Sequence, residues 1–339
     1  MATGLTKGNM SQHSKRLVGA GAVLGLGGLF AFACSNSTVT AAQACADVAA
    51  ARCQVEQQCN PQALLSTYGE LTTCESTQSA TCVLNLAAPD TANTPAHTEG
   101  CAQATPSQSC DDFALGIVPA ACNPPAGPRD AGSDCALSGQ CDTAYCLVPK
   151  TATCGTCAEA PGLGASCFNS SCGPGYLCDK ISYECVAPVG ASGACNDSSA
   201  CGPGLTCIGS DTDGGALGSC VALATLGGNC DLTDGGSRCD GRFGLYCNTE
   251  AGKVCAQAAT ATATQPCGTI DGGAVDCIAD SFCQKAPGAK EGTCIAPAAE
   301  GAACDTANGP ICTPPARCVL SDAGVTAGIC QAPNYQVCN

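Results

Sequence analysis

The sequence predicts a small disulfide-rich protein: an N-terminal α-helical domain stapled by cysteines, followed by tandem short β-hairpin cysteine-rich repeats in an elongated array. Three observations predict it. Cysteine supplies 35 of 339 residues, while tryptophan is absent and aromatic residues amount to 4%. Large side chains are therefore too few to build ordinary cores at this length, and cross-links must stand in for them. The stretch Cys167-FNSS-Cys172-GPGYL-Cys178-DKISYE-Cys185 is followed by Cys195-NDSSA-Cys201-GPGLT-Cys207 and a longer run to Cys220, one four-cysteine unit written twice. The same grammar begins again at Cys135, Cys230, Cys267 and Cys304.

Cysteine at this density persists in oxidising compartments and points away from the cytosol. The formal charge is −15, and removing Lys7, Lys15 and Arg16 with a leader that holds no acidic residue takes the mature chain to −18. So acidic a surface repels nucleic acid phosphates and anionic headgroups, which argues against both as electrostatic partners.

Residues 1–33 read as an export signal. A polar start with three cations is followed by the uncharged run LVGAGAVLGLGGLFAFA, and Ala31-Phe32-Ala33 supplies the small residues a signal peptidase needs. A retained membrane helix would sit at the short end of the roughly 17 to 25 residues that span a bilayer. Cys34 follows, and its position resembles the invariant cysteine of a bacterial lipoprotein signal, which carries a thioether-linked diacylglycerol. The chain departs from that pattern in having Ala31 where Leu is preferred. Ordinary cleavage at the same bond leaves Cys34 a free thiol. Setting Cys34 aside leaves 34 cysteines, an even number that pairs completely, and this parity favours lipidation. Residues 34–42 form a polar tether, and Ser35 resembles an outer-membrane sorting residue. The expectation is an exported lipoprotein of the cell envelope, held to the outer membrane by the N-terminal lipid only.

Residues 43–122 change from beads to helix. The run from Gln43 to Cys59 is rich in helix formers, lacks Gly and Pro, and stops at Asn60-Pro61. A second helical run extends from about Leu64 to Leu86, before Pro89. Two helices joined by a short turn make an antiparallel hairpin, in which contacting positions have a constant sum. Cys45 with Cys82 and Cys53 with Cys74 both sum to 127, which predicts those two bridges. Cys59, Cys101, Cys110 and Cys122 are left to staple a third helix near His97 to Ala104 and the Asp111-Asp112-Phe113 segment. Residues 123–134 carry Pro124-Pro125-Ala126-Gly127-Pro128, a stiff linker.

Residues 135–338 hold six repeats: 135–157, 167–185, 195–220, 230–255, 267–294 and 304–338. Loops inside the units vary, but the spacer between units has nine residues in four of five cases, the exception being the eleven-residue AQAATATATQP after Cys255. Constant spacers beside variable loops predict fixed inter-unit geometry with free loop tips, and the Ala/Thr tract is a candidate hinge. A unit of this size with no more than three aromatic residues cannot offset its ordering entropy by burial, so disulfides at about 2 to 4 kcal/mol each decide whether it folds. Gly173-Pro174-Gly175 and Gly202-Pro203-Gly204 place Pro then Gly as a type II turn requires, which predicts a hairpin between the second and third cysteines. Val186, Val221 and Ile295, each directly after a fourth cysteine, suit short strands.

The spacing Cys-x5-Cys-x2-Gly-x2-Cys-x(6 to 12)-Cys resembles the cysteine-rich repeat of the Dickkopf N-terminal type, which also occurs in tandem in exported bacterial proteins. Tyr145 before Cys146, Cys154-Gly155-Thr156-Cys157 and Cys172-Gly173-Pro174-Gly175 follow that domain's order. The family often has a double cysteine before Pro-Gly where this chain has Cys172-Gly173, which leaves Cys157 without its expected partner. The resemblance covers residues 135–338 and does not carry over the signalling role of the animal proteins. It implies first-to-third and second-to-fourth pairing: Cys167 with Cys178 and Cys172 with Cys185, Cys195 with Cys207 and Cys201 with Cys220, Cys230 with Cys247 and Cys239 with Cys255. In the last two units it implies Cys267 with Cys283 and Cys277 with Cys294, then Cys304 with Cys318 and Cys312 with Cys330. Cys154, Cys157 and Cys338 are left unassigned.

Chemistry beyond the bridges is sparse. Cys154-x2-Cys157 has the spacing of a redox pair or half a zinc site, but lacks a βαβ context and a second such pair, so a structural role is read. The mature chain has one histidine, His97, and no G-x-S-x-G, H-E-x-x-H or phosphate-loop motif. Asp213-Gly214-Gly215, Asp234-Gly235-Gly236 and Asp271-Gly272-Gly273 offer carboxylates to calcium, but without EF-hand spacing they read as turn tips. Asn36-Ser37-Thr38, Asn169-Ser170-Ser171 and Asn196-Asp197-Ser198 match the glycosylation acceptor pattern and are expected bare behind a bacterial leader. No catalytic residue, metal ligand or cofactor is assigned. The reading is a non-catalytic cell-envelope lipoprotein whose stapled repeats act as a structural or interaction module toward a protein or glycan at the cell surface. The alternatives are an extracytoplasmic thiol oxidoreductase or hydrolase, and a calcium-dependent adhesin.

Overall fold

In the N-terminal domain, caps and prolines set the helix boundaries. The computed structural model describes residues 39–149, 152–168, 171–179, 182–196, 200–210, 217–232, 236–320, 325–333, 335 and 338; the leader, Cys34 and the Asp213 and Asn169 tips lie outside them. α1 (Ala41–Cys59) starts where the Thr40 hydroxyl accepts from the Gln43 N–H at 3.2 Å, a normal N-cap. Asn60 ends α1 and caps α2 (Pro61–Tyr68), its Oδ1 accepting from Ala63 N–H at 3.1 Å while Pro61 takes the first helical position. The expected second helix is in fact two. Gly69, at φ +77°, closes α2 before α3 (Leu71–Leu86) begins, because glycine reaches the left-handed region at no steric cost. α4 (Pro95–Ala104) repeats the Thr-Pro start at Thr94, and the short α5 (Cys110–Ala114) is capped by Ser109. α1 and α3 pack against one another around the buried Cys45, Cys53 and Cys74, with α4 on another flank of α1 at Val48 and Cys101.

Each repeat is a hairpin whose third and fourth cysteines face one another in antiparallel register: Cys146 and Cys157, Cys178 and Cys185, Cys207 and Cys220, Cys247 and Cys255, Cys283 and Cys294, Cys318 and Cys330. The hairpin therefore lies one cysteine later than the glycine-proline turns suggested. Those turns exist, with Tyr176 N–H on Gly173 O at 3.3 Å and Leu205 N–H on Gly202 O at 3.1 Å, but they lead into the hairpin rather than cap it. Positive φ at Gly175 (85°) and Gly204 (73°) is the type II signature. Facing cysteines are not bonded to each other; each strand is tied instead to a different earlier cysteine.

The spacers are structural parts of the repeats. The residue three places before each first cysteine donates its N–H to the fourth cysteine's carbonyl, from Gly132 to Cys157 (2.8 Å) through Gly301 to Cys330 (2.8 Å). All six such residues are left-handed: Gly132, Gly164, Ser192, Gly227, Thr264 and Gly301, with φ between 65° and 90°. Arg129, Val189, Ala224 and Ala298, each six places before a first cysteine, bridge in parallel to the second cysteine, and Ala261 does so within a strand. Arg129 places the end of the expected linker inside the first repeat, where Arg129 N–H meets Gln140 O at 2.9 Å. The Ala/Thr tract is likewise no hinge: its strand Ala259–Ala261 pairs in parallel with Gly273–Cys277 in a five-stranded sheet.

The repeats do not run away from the helices as an open elongated array. Loops between second and third cysteines dock on the helical domain, with Ala279 N–H on Leu65 O at 3.0 Å, Asp280 N–H on Ser66 O at 2.6 Å and Gly175 N–H on Leu115 O at 2.9 Å. The chain end returns as well, Cys338 being bonded to Cys154 across 184 residues. Backbone N–H and carbonyl groups at loop tips need partners, and the open ends of α2 and α5 provide them. Among the described residues no helix is long and apolar enough to cross a membrane.

Candidate functional site

The site elements read from the sequence are the cysteines, and the structure joins them as follows. In the helical domain Cys45 is bonded to Cys82 and Cys53 to Cys74, at S–S distances of 1.98 and 1.95 Å. The unassigned four form Cys59–Cys110 and Cys101–Cys122. In the repeats the first cysteine joins the third and the second joins the fourth: Cys167–Cys178, Cys172–Cys185, Cys195–Cys207, Cys201–Cys220, Cys230–Cys247, Cys239–Cys255, Cys267–Cys283, Cys277–Cys294, Cys304–Cys318 and Cys312–Cys330. The first repeat is bonded Cys135–Cys146 and Cys141–Cys157, which frees Cys154 for Cys338.

Two sites weighed from the sequence take a definite form. Cys154 and Cys157 are in separate disulfides, so their Cys-x2-Cys spacing forms no vicinal redox bond. Within a repeat three sulfurs, such as those of Cys135, Cys141 and Cys157, come within 4.8 Å of one another. That proximity comes from stacked bridges, and a disulfide sulfur offers a metal no thiolate. Asp271 and Gly272, at φ 48° and 77°, make the two-residue turn between the strands Pro266–Ile270 and Gly273–Cys277, the geometry a tight hairpin favours.

One recess was not anticipated. Between α1, α3 and α4, above the Cys45–Cys82 and Cys101–Cys122 bonds, lies a cleft of about 160 Å³. Its polar lining includes Arg52 on α1, Gln78 and Asn85 on α3, Asn93 before α4, and His97 on α4. Arg52 is exposed by surface area, yet enough protein surrounds its guanidinium that burial pulls its pKa down. That combination belongs to a side chain lining a recess. His97 is fixed by a 3.0 Å hydrogen bond between Nε2 and the Asn123 carbonyl. The Asn85 Oδ1 is buried and has no hydrogen-bond partner among the described residues. A second recess of about 270 Å³ shares Gln78, Thr81 and Asn85 and is lined farther along by Tyr68, Arg317 and Tyr335. In the sequence Arg52 is visible only as a cation in an alanine-rich helix, because a cleft formed by three helices leaves no mark in local spacing.

Comparison with protein-family models, with curated proteins and with solved structures finds no match. The fold alone defines the class: a small disulfide-rich protein with a helical domain followed by cysteine-rich repeats of short antiparallel strand pairs. Its density of disulfides belongs to an extracytoplasmic setting.

Proposed function

We propose that this chain is a non-catalytic binding module of the cell envelope, exported and anchored by lipid on Cys34, with repeats of the Dickkopf N-terminal type carrying their loops to a protein or glycan at the cell surface. The observation that supports it best is that all 34 described cysteines are consumed in 17 disulfides within the chain. A chain that spends its cysteines on cross-links holds loop tips in place with few core residues, which is what a display scaffold requires. Its acidic surface fits a partner other than nucleic acid.

Intact mass of the protein purified from membranes, native and after reduction with alkylation, tests this reading. The expected result is a mature N-terminus at Cys34 carrying acyl mass, with 34 alkylated sites appearing only after reduction. A mass without lipid overturns the anchor. Two thiols alkylated before reduction bring the oxidoreductase alternative forward, and a calcium-induced rise in melting temperature does so for the adhesin.

A further inference from the structure

The chain holds 28 acidic residues against 13 Lys and Arg, yet among the described residues the lining of the cleft between α1, α3 and α4 includes Arg52 and His97 and no carboxylate. Three other cations, Arg129, Arg242 and Lys253, each hold an aspartate within 3.2 Å. Among the described residues Arg52 has no carboxylate partner. Its Nη2 instead lies 3.9 Å from Cys101 Sγ, a weak acceptor, while Glu56, one turn along α1, sits 4.0 Å from Cys74 Sγ. A guanidinium stays charged at any physiological pH, and Arg52 carries that charge along the lining of a recess. An anion entering the cleft supplies the counter-charge.

The second, independent observation is the Asn85 Oδ1, a buried acceptor with no donor among the described residues, on a side chain that lines the same cleft. Buried acceptors are ordinarily satisfied. A ligand that completes the site therefore carries both a negative charge and an N–H or O–H donor close to it. The guanidinium fork matches a carboxylate in two parallel hydrogen bonds, and a volume of about 160 Å³ admits only a small molecule. We propose that the cleft binds a small carboxylate with a hydroxyl or amino group on the neighbouring carbon, the carboxylate on Arg52 and the donor on Asn85 Oδ1. This deepens the binding-module reading by naming a ligand class, and does not depend on the lipid anchor.

The test is calorimetric titration of the mature protein, disulfides intact, with L-lactate and L-alanine, with propionate (charge without donor), with lactamide (donor without charge), and with sulfate. Lactate or alanine is expected to bind saturably, propionate about tenfold more weakly and lactamide not measurably, since one charge-assisted hydrogen bond is worth about a factor of ten or more. Arg52→Gln is expected to weaken the acid about tenfold or more, and Asn85→Leu to erase its advantage over propionate. If Arg52→Gln loses its cooperative melt, Arg52→Lys, which keeps the charge and loses the fork, is expected to weaken binding severalfold. The proposal is overturned if neither acid gives a saturable heat, if propionate or sulfate binds as tightly, or if the Arg52 variants bind unchanged. A lipid-free intact mass leaves these results untouched, so failure of the anchor and failure of the site are told apart.

Discussion

Gln140 has no solvent exposure, and three hydrogen bonds explain why a polar side chain sits there. Its Oε1 accepts from the N–H groups of Ala136 (2.8 Å) and Leu137 (3.1 Å), and its Nε2 donates to the Pro89 carbonyl at 2.8 Å. It thus closes a turn of the first repeat and ties that repeat to the end of the helical domain. Gln140→Leu keeps the volume and strands all three backbone groups, so a loss of about 2 to 3 kcal/mol is expected in chemical denaturation; an unchanged midpoint would show that water replaces the amide. Glycine shows the same local logic. Gly155, Gly218, Gly292 and Gly328 each stand two residues before a fourth cysteine, where a Cβ would run into the backbone of the neighbouring strand. This Gly-x-Cys signal is present in the sequence, but its meaning depends on the partner strand, where the carbonyl of the residue after the third cysteine occupies the space a Cβ would need. At the left-handed spacer position glycine is again usual, and Thr264 holds φ +75° only because the Cys294 carbonyl captures its N–H at 2.7 Å.

At the scale of elements, docking of the fifth repeat on α2 brings a carboxylate with it. Asp280 follows Ala279 into contact with the last turn of α2, and its Oδ2 is buried without a partner among the described residues. Burial raises its pKa from 3.8 to about 6. The folded protein therefore keeps this proton to a higher pH than the unfolded chain does. Its contribution to stability is full below about pH 4, falls as pH rises toward 6, and is lost above that. Tyr68 nearby is pushed up chiefly by burial and stays neutral throughout. A melting temperature that declines between pH 4 and 7 in the wild type, and a shallower decline in Asp280→Asn, is the expected pair of thermal scans; parallel curves would remove Asp280 as the cause. Legibility at this scale was uneven. Helix composition, the Asn60-Pro61 break and the β-branched residues after fourth cysteines are local signals and mark the elements. The division at Gly69 and the position of the hairpins were hidden, because a glycine inside a helical run and a Pro-Gly turn each admit more than one tertiary use.

For the whole molecule the decisive bond is Cys154–Cys338, which spans 184 residues where the repeat bridges span 11 to 19. Arg129 adds to the closure: its guanidinium donates to the Cys338 carbonyl and pairs with Asp90 at 3.0 Å. The intervening repeats are already cross-linked, so the flexible loop is much shorter than 184 residues and the chain-entropy gain is nearer the middle of the usual range. The double variant Cys154→Ser/Cys338→Ser is expected to lose about 2 to 4 kcal/mol and to release the C-terminal segment to limited proteolysis while the other sixteen bridges persist on non-reducing peptide maps. A cleavage pattern identical to that of wild type would mean that Arg129 and the packing of Tyr335 hold the end by themselves.

The sequence by itself determined the class of this protein. A chain so poor in aromatic residues and so rich in cysteine has to be held by disulfides, and the helix formers ahead of the glycine-rich units separate its two kinds of architecture. Only the tertiary structure decided which distant cysteines meet, where the repeats turn back on the helices, and that Arg52 lines a cleft between three helices. Spacing constrains partners a few residues apart, whereas those outcomes depend on the path of the whole chain.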